Sequence, residues 1–123
     1  MKKLLFILLL AWSCPVANAQ ITNLTDSNYY STIGKATKLI IVEFYFDGCR
    51  PCIAMKPVMD SLSSENAEIL TIYKMNIFKT TIFRSLGIDE YPTYIFYKNG
   101  VKLLAQSGMT TKGEMKKLIE TYK

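Results

Sequence analysis

Apolar and polar positions alternate along this chain in blocks whose periods change from strand-like to helical. Leu39 to Phe46 is a dense apolar and aromatic run of strand length, the pattern of a central strand covered on both faces. Asp47-Gly48 breaks it. From Cys49 onward, Cys52, Met55, Met59 and Leu62 recur at steps of three and four, the spacing of one helical face. Cys49 then opens this helix. Pro51 is tolerated in its first turn, whereas Pro57 lies mid-helix, where it removes a backbone donor and is expected to kink the axis. Upstream, Ile21 to Leu24 reads as a short edge strand, and Thr25-Asp26-Ser27 offers capping oxygens to a helix running to about Ile33.

Downstream, Ile69 to Ile77 is a second β-rich segment, Lys79 to Leu86 a short helix, and Gly87 its stop. Thr93 to Lys98 and Val101 to Gln106 follow as strands joined by Asn99-Gly100, a strong hairpin signal. Thr111-Lys112-Gly113-Glu114 is a capping box, ahead of Met115, Leu118, Ile119 and Tyr122 on one stripe. Strands and helices first alternate, then give way to a hairpin and a closing helix. That order predicts an α/β fold with a central mixed sheet flanked by helices.

The first residues fall outside this scheme. Met1-Lys2-Lys3, the apolar stretch that follows and Ala17-Asn18-Ala19 have the form of a signal peptide, with cleavage expected after Ala19. Leu4 to Trp12 is nine residues long, short of the roughly 20 a spanning helix needs, so a permanent anchor or an uncleaved helix is the weaker reading. Cleavage leaves residues 20–123 as one domain. It also lowers the basic count from 15 to 13 against 10 acidic residues, a mild net charge of about +3. The remaining lysines are scattered, which argues against a nucleic-acid surface. Cys14 would leave with the leader, unless Ala11-Trp12-Ser13-Cys14 acts as a lipoprotein attachment site, whose pattern it matches poorly.

Two cysteines survive, Cys49 and Cys52. A thiolate is the attacking species in disulfide exchange, and a cysteine opening a helix has its anion stabilised by free N–H groups and the positive dipole end. Arg50 adds a cation. Cys49 is therefore the candidate nucleophile and Cys52, on the inward stripe, the shielded resolving thiol. A purely structural disulfide competes with this reading. Zinc does not fit well, since it usually takes four Cys, His or carboxylate ligands and the chain has no histidine. No metal or cofactor is expected. Glu43 is anomalous inside its apolar run: burial would raise its pKa unless a cation such as Lys74 pairs with it, and a poised carboxyl near Cys52 could exchange a proton with that thiol. The competing reading is an outward-facing glutamate without a role.

The ordered set Val42-Glu43-Phe44, Cys49-Arg50-Pro51-Cys52 with Pro57, Lys74-Met75-Asn76-Ile77, Gly87-Ile88, Tyr91-Pro92-Thr93, Lys98-Asn99-Gly100 and Gly108 resembles the thioredoxin family over nearly all of the mature chain. The resemblance implies a thioredoxin fold and a protein-disulfide oxidoreductase. It implies that Pro92 is a cis-proline facing the cysteines, that Tyr91 and Gly108 help bind a substrate peptide, and that Lys74 tunes Glu43, which stands where the family usually has aspartate. Gly48 and Tyr45 replace tryptophans common in the family, and Arg50 replaces a glycine. With Pro51, Arg50 is expected to tune the redox potential, its charge making the pair more oxidising. The leading expectation is a monomeric periplasmic reductase of exported protein disulfides, recharged by a membrane thiol-disulfide donor. A net oxidant or isomerase and a non-catalytic peptide-binding module are the alternatives.

Overall fold

The computed structural model describes residues 19–123. The body of the expected leader, Cys14 included, lies outside the described residues. Five strands form one mixed sheet in the order β1-β3-β2-β4-β5. They are β1 (Thr22–Asn23), β2 (Leu39–Tyr45), β3 (Leu70–Asn76), β4 (Thr93–Lys98) and β5 (Val101–Ser107). Four helices accompany them: α1 (Tyr29–Lys35), α2 (Arg50–Glu65), α3 (Ile82–Ser85) and α4 (Lys112–Tyr122). β2 sits at the centre, parallel to β3 and antiparallel to β4.

Alternation along the strands divides the core in two. Leu39 and Ile41 of β2, Leu70 and Ile72 of β3, and Tyr94 and Phe96 of β4 pack with Met55, Met59 and Leu62 of α2 and Met115 and Ile119 of α4. On the opposite face Ile40, Val42 and Phe44 pack with Tyr29 and Ile33 of α1, Met75, Ile82 and Ile95. The predicted apolar stripe of α2 is the one that is buried. Asn99 and Gly100 both take positive φ, 50° and 78°, the primed turn that matches strand twist.

Several boundaries differ from the sequence reading, and those around α1 and α3 differ because the Asp26 side chain found a distant partner. Asp26 does not cap α1. Asn28 holds that position without a side-chain cap, while the Asp26 carboxylate accepts hydrogen bonds from Thr80 Oγ1 and from Thr81 N and Oγ1. Those bonds keep Thr80 extended, so the single helix expected over Lys79 to Leu86 becomes a 3-10 turn, Ile77–Lys79, and the short α3. The strand expected over Ile21 to Leu24 shrinks to Thr22–Asn23, paired with Tyr73 and Lys74. At α4, Glu114 N donates to Thr111 Oγ1 as predicted, but the Glu114 carboxylate accepts from Thr110 Oγ1, so only half the capping box forms. Helix α2 runs through Pro57 without interruption. No described helix is long and apolar enough to cross a membrane.

Candidate active site

The chain leaves β2 at Tyr45 and turns through Phe46-Asp47-Gly48, where Gly48 adopts φ +86°, a region that disfavours any side chain. Two bonds hold the turn: Cys49 N donates to Phe46 O at 3.2 Å, and Asn76 Nδ2 at the end of β3 donates to Asp47 Oδ2 at 3.1 Å. Cys49 is the N-cap of α2. Its Sγ accepts from Cys52 N at 3.3 Å, and its carbonyl accepts from Ile53 N at 3.0 Å. The helix that begins here thus directs amide dipoles at the sulfur of Cys49. Cys49 and Cys52 are joined as a disulfide with Cα atoms 5.3 Å apart. Both residues are buried, at 3% and 6% exposure, so accessibility in the oxidised state does not rank them. Position does, since only Cys49 occupies the cap. Arg50 is exposed at the start of α2, with Pro51 beside it.

Glu43 lies beneath this pair. Strand alternation turns it toward α2 with Leu39 and Ile41, and it is 7% exposed, so the outward-facing reading is wrong. Loss of hydration pushes its carboxyl up to about 7, with Lys74 opposing the rise. Lys74 is its register partner on β3. No ion pair joins the two among the described residues; the Lys74 ammonium instead lies over the Tyr45 ring, 5.6 Å from its centroid. Lys74 therefore acts on Glu43 through the field and not by contact. A cavity of about 370 Å³ opens beside them, bounded by Glu43, Gly48, Cys52, Lys56, Asp60 and Lys74. Sequence reasoning missed Lys56 and Asp60, although both follow Cys52 by whole turns of α2, a spacing that could have found them.

The second edge of the site is the segment before β4. The Tyr91–Pro92 peptide bond is cis, and Pro92 is buried. Gly108 N donates to Pro92 O at 2.8 Å, which brings Gly108 and the proline together across the hairpin. The Tyr91 ring packs edge-on against Phe46, whose carbonyl holds Cys49, and Phe46 in turn meets Phe78. Phe78 is 74% exposed. Phe46 and Phe78 form an aromatic ledge beside the cysteines that no periodicity in the sequence singled out.

A family model described as Thioredoxin matches residues 20–121. The chain belongs to the thioredoxin family. Among thioredoxins it is 28% identical over 96 residues to that of Rickettsia prowazekii, covering 77% of this chain and 91% of the relative. It is also 28% identical over 107 residues to chloroplastic thioredoxin M4 of Arabidopsis thaliana, covering 86% of this chain and 55% of the relative. The chain therefore spans about half the length of that chloroplast protein. The crystal structure of Malassezia sympodialis thioredoxin superposes with a TM-score of 0.74 at 21% identity, over 85% of this chain and 91% of that one, so the two share the fold. With its bonded Cys49–Cys52 pair, the chain is a thioredoxin-family disulfide oxidoreductase.

Proposed function

We propose that this protein reduces disulfides of exported proteins in the periplasm, with Cys49 as the attacking thiolate. The observation that carries the reading is the cap: Cys49 Sγ accepts the Cys52 N–H at 3.3 Å where α2 begins. In the reduced form that setting favours the Cys49 anion, and Arg50 adds charge of the right sign. Cys49 Sγ attacks one sulfur of the partner disulfide, forming a mixed disulfide and releasing the partner's other sulfur as thiolate. Cys52 passes its proton to the Glu43 carboxylate and attacks Cys49 Sγ, which expels the second partner thiolate and leaves Cys49–Cys52 oxidised. Two electrons have moved to the partner. A membrane thiol-disulfide donor returns them, and Tyr91, Pro92 and Gly108 hold the partner peptide in an extended pairing.

Cys49→Ser is expected to abolish turnover of a model disulfide protein, whereas Cys52→Ser retains attack and accumulates mixed disulfides. Residual turnover in Cys49→Ser, or no trapped partner in Cys52→Ser, overturns the assignment. The charge of Arg50 favours a second reading, a net oxidant or isomerase. Equilibration with glutathione separates the two: a potential near about −270 mV, where thioredoxins lie, fits a reductase, and one near about −120 mV fits an oxidant.

A further inference from the structure

Tyr94 stands directly across the β2–β4 ladder from Glu43. It shares the face that packs under α2 and α4, and it has no exposed surface. Its Oη is the one buried side-chain oxygen or nitrogen without a hydrogen-bond partner among the described residues. The other buried hydroxyls are all engaged. Tyr29 bonds Tyr97, Thr93 bonds Glu90 O and Ser107, Thr80 bonds Asp26, and Ser63 bonds Ala19 O, a partner that would leave if the chain is cut after Ala19. An orphan buried hydroxyl is destabilising, and phenylalanine would fill the same space without that penalty.

Glu43 has no hydrogen bond or ion pair among the described residues either, but its carboxyl oxygens keep contact with the cavity and are not buried orphans like Tyr94 Oη. That cavity is half-enclosed, and Glu43 has ionisable neighbours on three elements. Lys74 faces it from β3, Lys56 and Asp60 from α2 beside Cys52, and Tyr94 from β4, with Tyr45 further along its own strand. Directly opposed antiparallel residues place their Cβ atoms about 5 Å apart, within the span of a phenol and a carboxyl bridged by at most one water. The two groups are not hydrogen-bonded as they stand; we propose that ionisation of Glu43 draws the Tyr94 hydroxyl into donating a hydrogen bond to its carboxylate, which positions that carboxylate as an acceptor for the Cys52 proton. Tyr94 is a positioning residue: burial and the Glu43 charge push its own pKa far up, so it remains a donor and never competes as an acid.

This inference rests on Glu43 accepting the Cys52 proton, and Tyr94→Phe tests the two separately. The oxidised protein and its Tyr94→Phe variant are titrated by carbon NMR of the Glu43 carboxyl, and the pH dependence of mixed-disulfide resolution is followed in both. Loss of a hydrogen bond to a charged group is expected to raise the proton affinity of Glu43 by about tenfold. The midpoint of the resolution profile should move up by the same factor, with no movement when Tyr94→Phe is made in Glu43→Gln. An unchanged Glu43 titration overturns the proposal, including the case in which only the urea midpoint falls. A shifted titration with an unshifted resolution profile supports the hydrogen bond and removes Glu43 from proton transfer.

Discussion

Glu43 sits under Cys52 with its carboxyl pushed up to about 7 by burial, and the sign of that shift has a cost in stability. Between the unfolded value of 4.5 and the folded one, the native state binds more protons than the unfolded chain. Stability is therefore full below about 4.5 and is lost as pH rises through about 7, by roughly 3 kcal/mol in all. Glu43→Gln is expected to remove this slope, and its urea midpoint should exceed that of the parent at pH 8 but not at pH 4. A parent whose midpoint does not fall over this range would show that Glu43 is solvated. Asp26 behaves in the opposite way: its carboxyl is held below the usual range chiefly by the Thr80 hydroxyl, so its contribution is present above the unfolded value and fades in acid. The cysteine pair was legible at this scale because spacing alone places a helix start at Cys49. Tyr94 was not legible, because a tyrosine in an apolar strand looks like any core aromatic until its hydroxyl is found without a partner.

Among the elements, the strands and the longer helices were foreseen from their periodicity, whereas ends fixed by a partner far along the chain were not. The Asn99-Gly100 turn and the α4 cap depend on backbone geometry that the local residues impose. Thr111→Ala removes the acceptor for Glu114 N and should cost about 1 kcal/mol in urea denaturation, with no change in the activity of the cysteine pair. The region around α3 is the counterexample, since Asp26 reaches Thr80 and Thr81 over more than 50 residues. Asp26→Ala is expected to release the start of α3, seen as faster hydrogen exchange at Thr81 N and Ile82 N while the amides of β2 keep their protection. Unchanged exchange at both amides would mean that α3 is held by the packing of Ile82 alone.

For the whole molecule, one mixed sheet with helices on both faces brings three separate segments to one end: the start of α2, the Tyr91–Pro92 corner and Gly108. Processing belongs to this scale. Cleavage after Ala19 should yield a mature protein beginning at Gln20 and recovered with soluble periplasmic contents, as N-terminal sequencing and fractionation would establish. Recovery in membranes with Cys14 acylated would replace that picture with a lipoprotein. The linear order of residues was enough to specify an α/β chain, a cysteine pair opening a helix, the closing hairpin and the resemblance to thioredoxins, because periodicity, turn chemistry and capping act over a few neighbouring positions. Only the tertiary structure decided that Glu43 is buried beneath α2 without a contact ion pair, that it faces an orphan tyrosine hydroxyl, and that Asp26 ties α3 in place. A buried group's hydration, field and hydrogen-bond partners come from strands and helices remote along the chain, and no local pattern records which of them will meet.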